Sequence, residues 1–497
     1  MRPLRGLTPQ FLRTKFRLWR ESFLENHRYA EFLRDYYFKS VPMPNLPNRP
    51  ILLVNPWIHD FSAYDLWMKP LGLLYLGSIL RSRGFEVLLL DCLTFHSLPG
   101  GFTKGLISPK TRAFGRSHFF KEVIPRPPAL KNIPRNFRRY GLPPEVVKNY
   151  LASLPQPGMI LMTSLMTYWY PGVAETIDFL RRNIPQAPIF LGGIYATLCP
   201  EHARIHSGAD RVLAGPWDEE KGRIIAEALD HGIDEGKKEF PSWPYPIFDL
   251  YSRLDYVCLL TRCGCPFTCT YCASSKLAKR IEARSSESVV REIEHWTRKF
   301  GVQNFAFYDD ALLLNSSTHL KPILREVIRQ DYRCSFHTPN AIHVKMIDEE
   351  LAALLFRSNF KTIRLGLETA DETIQKETGG KVDNQEFREG VKNLRKAGYR
   401  GEEIGVYLIA GLPGQRAEEL QDAIAFVRDT GAKPNLVEYS PIPGTPLFEK
   451  AKKFSPFDLE NEPLFHNNSL LPCRWEEFTL EDFRKLKEDL RVESYSK

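Results

Sequence analysis

The 497-residue sequence has no run of about 18 apolar residues, so no bilayer-spanning helix is expected. Its first residues show no short apolar core behind a basic start, so no secretory signal is expected. No repeat of fixed period recurs beyond an alternation of strands and helices, which excludes solenoids and propellers. A strong excess of one charge sign is lacking too. The 68 lysines and arginines exceed the 60 acids by only 8, spread along the chain, and no nucleic-acid module is recognisable. DNA and RNA are therefore not expected partners. An odd count of 9 cysteines, most of them scattered, excludes a disulfide scaffold and suits a reducing cytoplasm. A hydrophobic fraction of 43% with 12% aromatics is ample for packed cores, and the length suggests two or three domains.

Against that background one stretch stands out. Residues 261–275 read Thr-Arg-Cys-Gly-Cys-Pro-Phe-Thr-Cys-Thr-Tyr-Cys-Ala-Ser-Ser and contain Cys263, Cys265, Cys269 and Cys272. The last three have the spacing C-x3-C-x2-C. Thiolates this close can converge on a soft metal centre, an iron–sulfur cluster or zinc. Three of them on a 4Fe–4S cube leave one iron without a protein ligand, open to a substrate or cofactor as a catalytic metal position is. Pro266, Thr268, Thr270 and Ser274 suit a loop that wraps a cluster. Two other readings of the same residues are a zinc knot that uses all four sulfurs and an inert group of thiols.

The stretch resembles the cluster loop of the radical S-adenosylmethionine enzymes, including the aromatic Tyr271 before the third cysteine. The resemblance implies a 4Fe–4S cluster on Cys265, Cys269 and Cys272, with Cys263 a bystander. It further implies that the open iron chelates S-adenosylmethionine, which on reduction yields methionine and a 5′-deoxyadenosyl radical.

Downstream, the pattern is one of regular strand–helix units. Strands are expected at 256–260, 304–308, 333–337, 362–367, 404–409 and 436–439, with helices at 286–300, 318–329, 348–356, 385–397 and 417–429. Six such units make a partial (β/α)6 TIM-like barrel over residues 251–450, and chemistry in such barrels sits at the carboxyl ends of the strands. Those ends carry Asp309 and Asp310, His337, Glu368, Gly411-Leu412-Pro413-Gly414 and Pro441–Pro446. Tyr308-Asp309-Asp310 and Leu365-Gly366-Leu367-Glu368-Thr369 are similar to family segments that contact the cofactor. On that resemblance Phe267, Tyr271, Asp309, Asp310, His337 and Glu368 are expected at S-adenosylmethionine. By residue chemistry alone the carboxylates equally suit helix caps, and His337 equally suits a structural role.

Residues 49–232 alternate short apolar strands with helices: 51–54, 86–91, 159–163, 188–193 and 212–215 as strands, 71–84 and 176–183 as helices, with a Pro-, Lys- and Arg-rich insertion at about 93–155. This is a Rossmann-like, doubly wound parallel sheet, whose ligands sit at the carboxyl ends of its strands. The segment resembles the cobalamin-binding domain that precedes many radical S-adenosylmethionine modules, through Val54-Asn55-Pro56, Pro70-Leu71-Gly72, Leu191-Gly192-Gly193 and Ala209–Gly215. The resemblance implies a cobalamin (B12) site with Asn55, Leu71, Gly72, Ser164, Gly192, Gly193 and Gly215. The string D-x-H-x-x-G, whose histidine binds cobalt in the mutases, is absent. A cobalamin here would have no histidine beneath it from that motif.

At the flanks, residues 1–48 read as an amphipathic helix and a proline-rich linker. Phe11, Leu12, Phe16, Trp19 and Phe23 lie on one face, suited to docking on the same protein or, peripherally, to an anionic membrane surface. Residues 233–250 read as a linker and 451–497 as a small helical tail. The combined expectation is an α/β, cytoplasmic radical enzyme with cobalamin, methylating an unactivated carbon of a small-molecule or peptide substrate and served by an electron donor such as flavodoxin or ferredoxin. Rearrangement or cyclisation with the same cofactors, a radical reaction without cobalamin, and a non-enzymatic iron–sulfur or zinc scaffold are the alternatives.

Overall fold

The structure is a computed structural model describing residues 49–229 and 242–495. The helix expected over 1–48 and the start of the 233–250 linker lie outside the described residues. One compact unit comprises Asn48–Arg223 with Ile233–Lys497. The other is Met1–Pro47 with Ile224–Gly232, of which the described residues hold the end of the helix Glu219–Ala228.

The first sheet of the large unit is five-stranded and parallel, in the order Val87–Asp91, Ile51–Asn55, Met159–Met162, Ile189–Leu191, Arg211–Val212. Numbered along the chain, that is 2-1-3-4-5, so the order reverses between Ile51–Asn55 and Met159–Met162. Open sheets of this kind bind ligands outside the carboxyl ends at such a reversal. Both strands there are buried along their whole length, which is why they read as unbroken apolar runs and not as alternation.

The region at 93–155 is more than an insertion. Lys121–Val123 and Arg138–Tyr140 form an antiparallel sheet with Ile58–Asp60. Pro144–Ser153 adds a helix. Three-residue strands show too little period to be recognised, and their pairing is made by distant chain.

The second sheet has six parallel strands in chain order: Val257–Leu259, Asn304–Phe307, Ser335–His337, Phe360–Glu368, Ile404–Ala410 and Lys433–Glu438. The helices between them follow the sequence signals closely. Ser286–Phe300 starts where the Ser285 side chain accepts from the Ser288 N–H and stops at left-handed Gly301. One face of the sheet carries a stack of Phe305, Phe307, Phe336 and Phe360 with ring centroids 5.4–5.8 Å apart. All four are at most 2% exposed, and each such burial is worth about 1.5–3 kcal/mol.

The tail holds the helices Pro446–Phe454 and Leu480–Tyr495. Its middle does not hang free. Leu464 and Leu470 pack with Phe61, Leu130 and Phe137. Asn467 donates to the buried Asp60 (2.8 Å), and His466 meets Thr167 (3.0 Å).

Candidate functional site

The cluster loop leaves the first barrel strand at its carboxyl end. Its entry is a short hairpin, Arg262–Cys263 against Glu282–Ala283. Gly264 sits there at φ +76, where a Cβ would collide with the Arg280 carbonyl. The loop is held from outside by backbone bonds: Thr270 N–H to Thr378 O (3.2 Å), Leu447 N–H to Thr270 O (2.9 Å), and Cys272 N–H to Cys269 O (3.1 Å). Gly379 packs directly on Cys269.

Cys265, Cys269 and Cys272 are all half-buried and free. Burial raises the pKa of Cys265, to which Asp310, Cys272 and Cys269 add their charge. Burial also raises that of Cys263, but the charges acting on it are Asp310, Glu282 and Asp309. Asp310 acts on both thiols, but only Cys265 also feels the sulfurs of Cys269 and Cys272. Among the described residues no three His, Cys, Asp or Glu side chains gather around one ion-sized point. A cube is held by thiolates on separate irons, which asks for wider spacing than a single zinc with sulfurs about 2.3 Å away. The donor set, three soft sulfurs on one loop, fits iron–sulfur chemistry.

Across the barrel mouth, Glu368 accepts a hydrogen bond from the Tyr271 hydroxyl (3.0 Å) and forms an ion pair with Lys381. Glu368 is only 7% exposed and sits at φ +67, a left-handed conformation rare for its type. Gly366 makes room for the pair, since a Cβ there would lie 2.8 Å from Lys381 Nζ and 2.9 Å from Glu368 Oε1. Burial works against the Lys381 ammonium, but the charges of Glu368, Cys269 and Cys272 outweigh it and its pKa is raised. Lys381 escaped the sequence reading. Its signal was the preceding pair Gly379–Gly380, both at positive φ, which turn the chain back to the cluster loop. Phe267 stacks on His343 at 4.5 Å. His343, also missed, is held neutral by burial, with a pKa lowered to about 4.

Asp309 and Asp310 part company. Asp309 is buried and accepts from the Thr261 N–H and hydroxyl (3.2 and 2.6 Å), with its pKa raised to about 6 by burial. It ties the loop's root to the next strand. Asp310 is the one beside Ser274 and the cysteines. His337 is fully buried, its two ring nitrogens facing Thr362 and Asn304 at 3.2 Å each. Trp67 stacks on it at 4.7 Å and Phe114 lies at 4.6 Å. That commits His337 to packing inside the barrel and not to an open mouth.

At the reversal point of the first sheet, Asn55 is also buried, its amide donating to Asp91 (2.8 Å). Ser164 donates to Gly192 O (2.6 Å), and the exposed Gly193 stands at φ +91, where a Cβ would strike the Ser164 backbone. Gly215 donates its N–H to the Thr197 hydroxyl (3.0 Å). Leu71 is buried, whereas the space where a Gly72 Cβ would stand is open. Uncovered glycine backbone at Gly72 and Gly193 fits the close approach of a broad ligand such as a corrin.

Residues 260–427 match the Radical SAM superfamily. The chain is 28% identical over 362 residues to an uncharacterized methyltransferase of Pyrococcus horikoshii, covering 66% of this chain and 73% of the relative. It is 21% identical over 469 residues to cytidylyl-2-hydroxyethylphosphonate methyltransferase of Streptomyces wedmorensis, covering 80% and 81%. Among solved structures, the radical S-adenosylmethionine methyltransferase TsrM of Kitasatospora setae, with cobalamin and a 4Fe–4S cluster bound, superimposes with a TM-score of 0.58 at 18% identity, over 82% of this chain and 78% of that one. With the cysteine loop at the carboxyl end of the first barrel strand, these matches show that residues 260–427 are similar to the Radical SAM superfamily and that the fold is shared with TsrM.

Proposed function

We propose that this enzyme methylates an unactivated carbon of a small-molecule or peptide substrate, using a 4Fe–4S cluster, S-adenosylmethionine and cobalamin. The observation that carries the reading is the meeting, in one barrel mouth, of the thiols of Cys265, Cys269 and Cys272 with the Tyr271–Glu368–Lys381 group. The methyltransferase names of the relatives and the cobalamin bound in TsrM support it. When bound, the cluster supplies the electron that cleaves S-adenosylmethionine, and cobalamin supplies the methyl group.

The rest falls to the protein's own residues. Cys265, Cys269 and Cys272 would hold three irons. Glu368, pinned by Lys381 and Tyr271, presents a fixed carboxylate to the cationic or hydroxyl groups of S-adenosylmethionine. Phe267, backed by His343, covers one side of the mouth, and Asp310 stands beside the cysteines. Trp67 and Phe114 cover His337 and shield that part of the barrel from water. Gly72, Gly192, Gly193 and Gly215 line the crevice for cobalamin. We assign the electron donor to the flavodoxin or ferredoxin class and the compartment to a reducing cytoplasm, in line with nine free cysteines. Among the described residues no helix is long and apolar enough to cross a membrane.

The test is direct. Anaerobically reconstituted protein is expected to be brown and, with reductant, to release 5′-deoxyadenosine from S-adenosylmethionine. Incubation with hydroxocobalamin is expected to leave a pink chromophore after desalting. Colourless protein holding one zinc ends the radical reading, and a protein that keeps iron but no corrin ends the methyl-transfer reading alone.

A further inference from the structure

Strand alternation sets apart the sheet face opposite the phenylalanine stack. On it lie His337, Thr362, Arg364, Gly405, Tyr407 and Asn435, aligned by the pairings His337–Thr362, Arg364–Gly405 and Tyr407–Asn435. The absence of a side chain at Gly405 admits its neighbours: a Cβ there would lie 2.8 Å from Arg364 Nη1 and 2.7 Å from Asn435 Nδ2. From the first half of the chain, the segment 113–116 reaches the same face. Phe114 and Trp67 both adopt positive φ, +63 and +61, to set their rings on His337. Arg116 lies over the Trp67 ring at 4.5 Å. Strained backbone at two bulky residues persists only where the surroundings demand it, and such positions cluster at functional sites.

The groups gathered here are donors. Arg116 Nε donates to Ala113 O (3.1 Å) and Arg364 Nη1 to Ile363 O (2.8 Å), backbone carbonyls in both cases. Neither guanidinium has an ion-pair partner among the described residues. Asn435 donates to Lys433 O (3.2 Å), and the Tyr407 hydroxyl reaches Pro339 O at 3.5 Å. Trp67 is 4% exposed, yet its Nε1–H has no acceptor among the described residues. Besides burial, the charges acting on Arg116 are Asp65, Arg112, Arg364 and Tyr256. Asp65 is already bonded by the Tyr256 hydroxyl (2.8 Å) and by the N–H groups of Met68 and Ser117 (3.1 Å each). Arg112 is bonded to His118 at 3.0 Å. The two half-buried guanidinium groups lie in each other's field, and Asp65, the carboxylate that acts on Arg116, has its oxygens bonded elsewhere.

We propose that Arg116 and Arg364 bind an anionic group of the substrate, a carboxylate or a phosphate, inside the barrel beneath the cysteine loop. Planar guanidinium forks match both oxyanions, and Asn435, Tyr407 and the Trp67 N–H complete the donor set. The proposal names the substrate class of the proposed reaction and rests on that reading. It also explains why a segment of the first half of the chain enters the barrel: Arg116 completes a site that the strands alone half-build.

Equilibrium dialysis of the reconstituted full-length protein, with labelled inorganic phosphate and separately with labelled succinate, tests this. The expected result is saturable, salt-sensitive binding of at least one, the tighter of the two naming the group. Arg364→Gln and Arg116→Gln are each expected to weaken it about tenfold or more. Arg364→Lys and Arg116→Lys, which keep the charge and spare the fold, are expected to lose less, and Arg112→Gln nothing. Absence of saturable binding to the wild type, or equal binding by all variants, overturns the proposal. The outcome is separable from the radical reading. Wild-type protein that binds phosphate but forms no 5′-deoxyadenosine defeats the latter, and the reverse pattern defeats only the anion site.

Discussion

The carboxyl ends of the two parallel sheets are built in opposite ways. In the five-stranded sheet the polar groups satisfy one another: Asn55 with Asp91, Asp91 with Tyr251 (2.7 Å), Ser164 with Gly192. What is left uncovered is glycine backbone. In the barrel mouth the polar groups are charged and set against each other, as the buried Glu368 is with Lys381 beside three thiols. A closed polar network gives a stiff, neutral surface for a large rigid ligand. An open charged one gives fixed dipoles for chemistry. The comparison predicts that the two ends fail differently when altered.

The largest effect is expected at the loop. Cys269→Ala removes one of the three sulfurs and is expected to abolish iron retention, whereas Cys263→Ala keeps it, because the charges acting on that thiol are carboxylates and not the other cysteines. Iron content after anaerobic reconstitution and desalting reads both. If Cys263→Ala strips the iron too, four sulfurs share the metal and the open iron is lost.

At the other end, Gly193→Ala places a Cβ against the Ser164 backbone at φ +91. Left-handed strain with overpacking is expected to cost about 2–4 kcal/mol. Thermal denaturation should show it, together with reduced retention of hydroxocobalamin and unchanged iron. Equal loss of iron would mean the two ends do not act separately.

Glu368→Gln keeps the shape and removes the charge that Lys381 faces. A charge-assisted bond is worth about 1.5–3 kcal/mol, so 5′-deoxyadenosine formation should fall roughly tenfold to a hundredfold with iron retained. An unchanged rate would reduce Glu368 to a packing role.

The same contrast explains what was legible in the sequence. The cysteine loop, the barrel helices and both parallel sheets follow from local signals: spacing, period, caps. Ser286–Phe300 and Ala417–Asp429 lie where their patterns put them. Groups fixed by distant chain did not. Asp309 and Asp310 are adjacent and chemically identical, and only the fold turns one to Thr261 and the other to Ser274. His337 looked available at a strand end until Trp67 and Phe114 arrived from more than two hundred residues upstream to cover it. Lys381 stood in a polar loop with nothing to mark its partner. The tail read only as a small helical segment because its contacts are with Asp60, Phe61 and Thr167, far back in the chain.

That tail contact supplies the smallest predicted effect. His466 is 2% exposed, its Nδ1 at the Thr167 hydroxyl and its Nε2 at Leu459 O (2.8 Å). Burial lowers its pKa to about 4 from the ordinary 6.5. The unfolded chain therefore binds the proton more readily than the folded one between those values. Stability is full above about pH 6.5 and falls as the pH drops towards 4, by about 2 kcal/mol near pH 5 from this residue alone. His466→Gln removes the titrating group, so the difference in melting temperature between variant and wild type should shrink on acidification. A difference that stays constant from pH 7 to pH 5 would mean that His466 is protonated without cost. The tail would then not be sealed against the first sheet, and the closed end of the molecule would be less closed than the mouth it is contrasted with.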